Sequence, residues 1–131
     1  MNLVDSSGWL EYLADGPDAN FFASALEDTE DLLVSTVNIC EVFKRVIQQR
    51  GEDAALQAVA LMEQAEVVDL SAAIAMDAAK ISVENKLHMA DSLILATARA
   101  RGAVLWTQDS DFDGLPEVRF LAKRDPGARE S

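Results

Sequence analysis

Near its C-terminal end the chain reads TQDSDFDG, residues 107–114, which sets Asp109, Asp111 and Asp113 within five positions, directly after the apolar run AVLW. Asp113 before Gly114 is ordinary turn chemistry, since a short polar side chain beside glycine favours a turn. Asp109 takes on a different meaning beside three distant acids: Asp5 at the end of NLV, Glu41 within NICEVFKR, and Asp91 within ADSLILATAR. Carboxylates gathered at one place repel one another, and burial disfavours their charge further, so such a set calls for a cation. An all-oxygen ligand set favours a hard cation, Mg2+ with Mn2+ able to substitute. The sequence has one histidine, His88, and one cysteine, Cys40. Neither a zinc site of the usual kind nor a Ser-His-Asp system is supported by them.

Each acid alone has a plainer reading. Asp5 can end a strand or cap a helix. Glu41 stands four residues before Arg45, the spacing of a surface ion pair. Asp91 can be a first-turn acid favoured by the helix dipole. What gives them joint weight is the set of elements that would carry them. NLV reads as a short strand ending at Asp5, and Ser6 or Ser7 then caps a helix through Leu13. Gly16-Pro17 breaks that helix, and a second follows near 18–27. LLVS (32–35) reads as a buried strand, and Thr36 begins a helix ending at Gly51 with Val37, Cys40, Phe43, Val46 and Ile47 expected on its inner side.

Residues 52–65 form another amphipathic helix, EVVDL a short strand, and Ser71 opens a helix from Ala72 to about Glu84. ADSLILATARARG is apolar nearly all round, so the helix it forms should be buried. AVLWT and VRFL (118–121) are the remaining strands, and the tail AKRDPGARES is polar and expected to fray. Short apolar strands alternating with helices predict an α/β fold, a parallel sheet with helices on both faces. In such sheets ligands bind beyond the carboxyl ends of the strands. Asp5 and Asp109 follow strands, while Glu41 and Asp91 lie in helices that begin at that edge, so all four can converge there, with Asp111 a fifth.

Half of the 131 residues are hydrophobic, which fits one domain with a substantial core. The N-terminus lacks a basic region and a cleavage pattern, no stretch is long and apolar enough to span a membrane, and Cys40 in an apolar pattern reads as a buried small hydrophobe in a reducing, cytoplasmic setting. A net charge of −12 argues against nucleic-acid binding by bulk electrostatics. It does not exclude a nucleic-acid enzyme, because divalent cations can neutralise an acidic pocket and a phosphate together. Basic residues cluster locally at Lys44, Arg45 and Arg50, at Arg99 and Arg101, and at Arg119, Lys123 and Arg124.

VDSSGWLEYL, NICEVFKR, ADSLILATAR and TQDSDF, in this order and spacing, resemble a PIN domain, and specifically the VapC-type toxin ribonucleases of bacterial toxin–antitoxin pairs. The resemblance covers residues 1–121 and leaves 122–131 as a polar tail. It implies a PIN-like α/β/α sandwich with a short parallel sheet of about five strands. It makes Asp5, Glu41, Asp91 and Asp109 the acidic, metal-binding site, with Ser6 and Thr107 as hydroxyl supports and Asp111 as an accompanying acid. It implies Mg2+-assisted hydrolysis of an RNA phosphodiester, in which a metal-activated water attacks and products carry a 5′-phosphate and a 3′-hydroxyl. The implied partners are an RNA, a VapB-type antitoxin that inserts a segment near the acids, and a second copy in a homodimer or a larger toxin–antitoxin assembly. By that analogy the hairpin of residues 37–65, with Phe43, Ile47 and Leu61, is the clip and dimer surface. Transfer, ribosomal and messenger RNA are all compatible as substrates.

Two other classes bear comparison. A haloacid-dehalogenase-type phosphatase also places an Asp after its first strand, but a second Asp follows two residues later, where this chain has Ser7. A catalytically silent PIN-like module that binds RNA or protein would keep the fold. An intact set of acids argues against it, because without a metal the cluster costs stability.

Overall fold

Five short strands, β1 (Asn2–Val4), β2 (Leu32–Ser35), β3 (Glu66–Val68), β4 (Val104–Thr107) and β5 (Val118–Phe120), pair in the order β3-β2-β1-β4-β5. Every pairing is parallel, with Leu3 opposite Leu33 on one side and Val4 opposite Trp106 on the other. The computed structural model describes residues 1–123. Most of the tail predicted to fray, and Arg124 with it, lies outside the described residues.

Six helices cover the sheet: α1 (Ser6–Leu13), α2 (Ala19–Leu26), α3 (Thr36–Arg50), α4 (Glu52–Met62), α5 (Ala72–Asn85) and α6 (Met89–Ala100). Side chains alternate along each strand, so each strand contributes to two cores. Val4, Leu32 and Val34 pack with Trp9, Phe22, Val42 and Met62 from α1–α4. Leu3, Leu33 and Leu105 pack with Ile74, Ile81, Ile94 and Leu95 from α5 and α6. This is the expected α/β/α sandwich, and it explains why the strands read as unbroken apolar runs.

Local chemistry fixes the junctions. The Ser35 hydroxyl accepts from Val37 N at 3.1 Å while Asn38 Oδ1 accepts from Ser35 N at 3.1 Å, so the start of α3 is tied from both sides. Gly8 lets α1 lie tightly on its neighbours, since a Cβ there would stand 2.5 Å from Val4 Cγ1 and 2.7 Å from the Phe22 ring. Gly51, at φ 89°, turns the chain between α3 and α4. As expected, α6 is buried over most of its circumference.

The inner face of α3 matches the expectation in part: Val46 is buried and Val37 and Phe43 pack against the cores. Its buried residues are Asn38, Val42 and Val46, whereas Cys40 is exposed and Ile47 is 39% exposed. The inward stripe is rotated because a polar residue, Asn38, occupies it. In α4 the buried residues are Ala55, Ala58 and Met62, and Leu56 faces solvent. Among the described residues, no helix is long and apolar enough to cross a membrane.

Candidate metal centre

Strand order reverses around β1: β2 and β3 lie to one side and β4 and β5 to the other. The carboxyl ends of β1 and β4 are neighbours there, with Asp5 N donating to Trp106 O at 2.9 Å. This switch point opens a crevice beyond the strands. Its cleft, of about 520 Å³, is lined by Asp5, Glu41, Asp91 and Asp109, with Lys44 and Arg45 also on its wall. The four acids expected to meet thus line one space. A larger hollow of about 610 Å³ between α1, α3 and α4 is lined mainly by apolar side chains and contains no acid, so it is not the seat of the chemistry.

Hydroxyls hold the acids in place. Asp5, at 4% exposure, receives Ser7 Oγ at 2.9 Å and Thr107 Oγ1 at 3.0 Å on its Oδ2. The Thr107 hydroxyl also accepts from Asp109 N at 2.9 Å, so one side chain fixes both Asp5 and the turn carrying Asp109. Asp111 N donates to Asp109 Oδ1 at 2.9 Å, closing a 3-10 turn over Ser110–Phe112 that Phe112 anchors in the core. Glu41 Oε1 accepts from Ser6 Oγ at 2.7 Å, and Ser6 in turn accepts from Asn38 Nδ2 at 3.0 Å. The surface pair from Glu41 to Arg45 allowed by their spacing is not formed.

One subset is tighter than the rest. Asp91, Asp109 and Asp111 place one carboxylate oxygen each within 4.8 Å of one another. In an octahedral Mg2+ site with bonds of about 2.1 Å, neighbouring ligand oxygens stand about 2.9 Å apart and opposite ones about 4.2 Å. The donor set therefore fits a hard cation after small side-chain rotations. Asp111, expected as a fifth acid at this edge, belongs to this closest group. Asp5 and Glu41 are drawn toward their hydroxyl partners on the wall of the same cleft.

Electrostatics marks the same place. Burial pushes the Asp91 carboxyl up to about 7, helped by the negative charges of Asp109, Asp5, Glu41 and Asp111. Burial also raises Asp5, against the pull of hydrogen bonds from Ser7, Thr107 and the Ser6 backbone, while Glu41 adds repulsion. Two acids raised by burial and like charge in one cleft are what a bound cation would relieve.

Several contributors escaped sequence reasoning. Asn38 is fully buried and lies one turn before Glu41, a spacing that puts both on one helix face. Ser7 steadies Asp5. Gln108 Nε2 donates to buried Asp18 at 2.8 Å and so holds the residue between Thr107 and Asp109. No local sequence signal announces that last contact, which spans ninety residues. His88 is exposed at the start of α6, and no described interaction involves its ring.

The family model described as PIN domain matches residues 3–118. Among solved structures, a toxin–antitoxin complex from Klebsiella pneumoniae is similar at 22% identity and TM-score 0.77, covering 91% of this chain and 96% of that one. VapC20 of Mycobacterium tuberculosis, a sarcin–ricin-loop cleaving toxin, is similar at 19% identity and TM-score 0.74, covering 88% and 95%. FitAcB from Neisseria gonorrhoeae is similar at 19% identity and TM-score 0.71, covering 96% and 98%. At these identities the structural likeness speaks for the fold. No curated protein sequence matches the chain. A family match over nearly the whole described chain joins a parallel sheet whose switch point gathers the acids, and the chain belongs to the PIN domain family.

Proposed function

We propose that this protein is a VapC-type toxin, a divalent-metal-dependent endoribonuclease held in check by a VapB-type antitoxin. The observation that carries the reading is the convergence of Asp91, Asp109 and Asp111 within 4.8 Å, with Asp5 and Glu41 lining the same cleft. Asp91 and Asp109 would hold the ion, Asp5 and Glu41 would complete its surroundings, and Asp111 would assist Asp109. When bound, Mg2+ supplies a Lewis acid for the phosphate and lowers the pKa of a water that can attack it. The chain's own contribution is positioning. Ser6 and Thr107 keep two carboxylates aimed into the cleft, and the fixed turn of residues 107–112 keeps a third. No side chain in the cleft is a convincing nucleophile, which suits direct attack by water.

Support for the partner comes from similar structures that are themselves toxin–antitoxin assemblies, among them VapBC from Rickettsia felis and from Salmonella typhimurium. The apolar hollow between α1, α3 and α4 shares Leu10 with the acid cleft and is lined by Leu13, Val46, Ala58 and Leu61. An antitoxin segment lying there would reach the acids. A homodimer using the α3–α4 hairpin would employ Ile47, and Ile47→Glu would then lower the mass seen by light scattering. An unchanged mass with intact folding would remove Ile47 from that surface.

The functional test incubates the purified, antitoxin-free chain with total bacterial RNA, with Mg2+ and with EDTA, and maps the fragment ends. Cleavage with Mg2+ alone, giving 5′-phosphate ends, is expected and would also name the RNA. Intact RNA in both samples, from protein that is folded and binds metal, would favour the non-catalytic binding module.

A further inference from the structure

The cations of this acidic chain are used unevenly. Arg101 pairs with Glu66, and the Arg119 guanidinium lies 4.6 Å above the Trp106 ring. Among the described residues, Lys44, Arg45 and Lys123 have no ion pair and no side-chain hydrogen bond, a state they share with Arg50, Lys80, Lys86 and Arg99, although carboxylates outnumber basic residues 23 to 11; what sets these three apart is their place. All three line the acid cleft or its continuation. The cleft runs into a second hollow of about 540 Å³ lined by Gln49, Gln108 and Lys123 and by one further acid, Glu11, whose carboxylate is engaged by Asp18 N, and Ser7, Arg45 and Asp109 belong to both.

Helix geometry makes this a strip. Glu41, Lys44, Arg45, Gln48 and Gln49 follow the i, i+3, i+4, i+7, i+8 pattern of one helix face. From Glu41 to Gln49 the backbone rises about 12 Å, at about 1.5 Å per residue. That is long enough to follow a short stretch of one strand. No aromatic side chain lines either hollow, so the strip offers charge and amide groups but no surface for stacking bases.

We propose that Arg45, with Lys44 and Lys123, grips the phosphodiester backbone of a single RNA strand running from the acids along α3. The proposal rests on the nuclease reading, and it adds that the groove holds the strand by its phosphates and leaves base selection to other surfaces. Arg45 sits where the two hollows join, so it would hold a phosphate next to the one presented to the acids. With no carboxylate partner, these cations need not break an ion pair to bind the strand.

The test follows binding of short fluorescein-labelled oligouridylate and oligocytidylate by anisotropy across a salt series in Mg2+. The protein carries Asp91→Asn to suppress turnover, with Lys44→Gln, Arg45→Gln and Lys123→Gln added singly and together. Each substitution should lower the slope of log K against log salt by about 0.7, and the triple variant by about 2, equally for both oligonucleotides. Arg99→Gln, on the opposite side of the sheet, should leave the slope unchanged. Circular dichroism should match the parent, and Mn2+ affinity, measured with the same substitutions in a chain that keeps Asp91, should match wild type. An unchanged slope in the triple variant, an equal loss from Arg99→Gln, or a fall in Mn2+ affinity without a fall in slope would each overturn the proposal. RNA bound through these three cations by a wild-type chain that never cleaves would keep the grip and remove the nuclease reading instead.

Discussion

Ser6 and Glu41, thirty-five residues apart, meet through a 2.7 Å hydrogen bond that ties the start of α1 to the second turn of α3. The direction of that bond is set by Asn38. Its Oδ1 is occupied by Ser35 N, so its amide nitrogen faces Ser6, and the one hydroxyl proton of Ser6 is left for Glu41. A buried amide thus decides how one carboxylate of the acid cleft is held.

Asn38→Ala should therefore cost more than its size suggests. It leaves buried Ser35 N without its acceptor and takes the amide donor from the Ser6 hydroxyl, a loss of about 1–3 kcal/mol. Urea denaturation should show the midpoint falling with little change in slope. A midpoint equal to wild type would mean that water replaces the amide without cost.

Thr107→Val keeps the shape of the side chain and removes the hydroxyl that donates to Asp5 and accepts from Asp109 N. Outer-sphere partners of metal ligands typically matter by about 10–100-fold in affinity. Calorimetric titration should give Mn2+ binding weaker by about 10-fold or more, with the fold retained. Unaltered affinity would show that the carboxylates are aligned without this hydroxyl.

The pH dependence follows from Asp91, whose carboxyl is pushed up to about 7 by burial and by Asp109, Asp5, Glu41 and Asp111. An unfolded aspartate titrates near 3.9, so the folded metal-free chain holds this proton more tightly. The stability this gives is present below about pH 4 and is lost as pH rises through about 7. Thermal melting without metal should fall between pH 5.5 and pH 8, and Mg2+ should restore it most at pH 8, where no proton competes for the carboxylate. Asp91→Asn should flatten that fall. A metal-free melting temperature that rises across this range in wild type would contradict the assignment.

Gly8→Ala tests how the site is seated. The added methyl would meet Val4 and Phe22 at distances that force α1 outward, at a cost of about 1–3 kcal/mol. Because α1 begins at Ser6, the shift should also weaken Mn2+ binding. Loss of stability with intact Mn2+ affinity would separate the packing of α1 from the geometry of Asp5 and Ser6.

Much of this arrangement could be read from the sequence because two signals coincide. Continuous apolar strands between helices give the sheet and its binding edge, and Asp5 and Asp109 stand just past two of those strands. The side of α3 could be read only in part: Val46 is buried as expected, and Val37 and Phe43 pack against the cores. Apolar periodicity pointed Cys40 and Ile47 inward, but a helix that serves a site turns polar Asn38 inward and rotates its apolar residues accordingly. The contact between Gln108 and Asp18 depends on tertiary folding alone. Asp111 could be read as a possible fifth acid at that edge, but its nearness to Asp91 and Asp109 comes from the curl of the 3-10 segment.

The central claim is that Asp91 and its neighbours hold a divalent cation that enables RNA cleavage. The most direct measurement follows cleavage of one end-labelled RNA by wild type and by Asp91→Asn across a Mg2+ titration. Saturable, Mg2+-dependent cleavage by wild type and a rate at least about 100-fold lower in the folded variant are the predicted result. Equal rates in the two proteins, or wild-type cleavage that persists in EDTA, would contradict it.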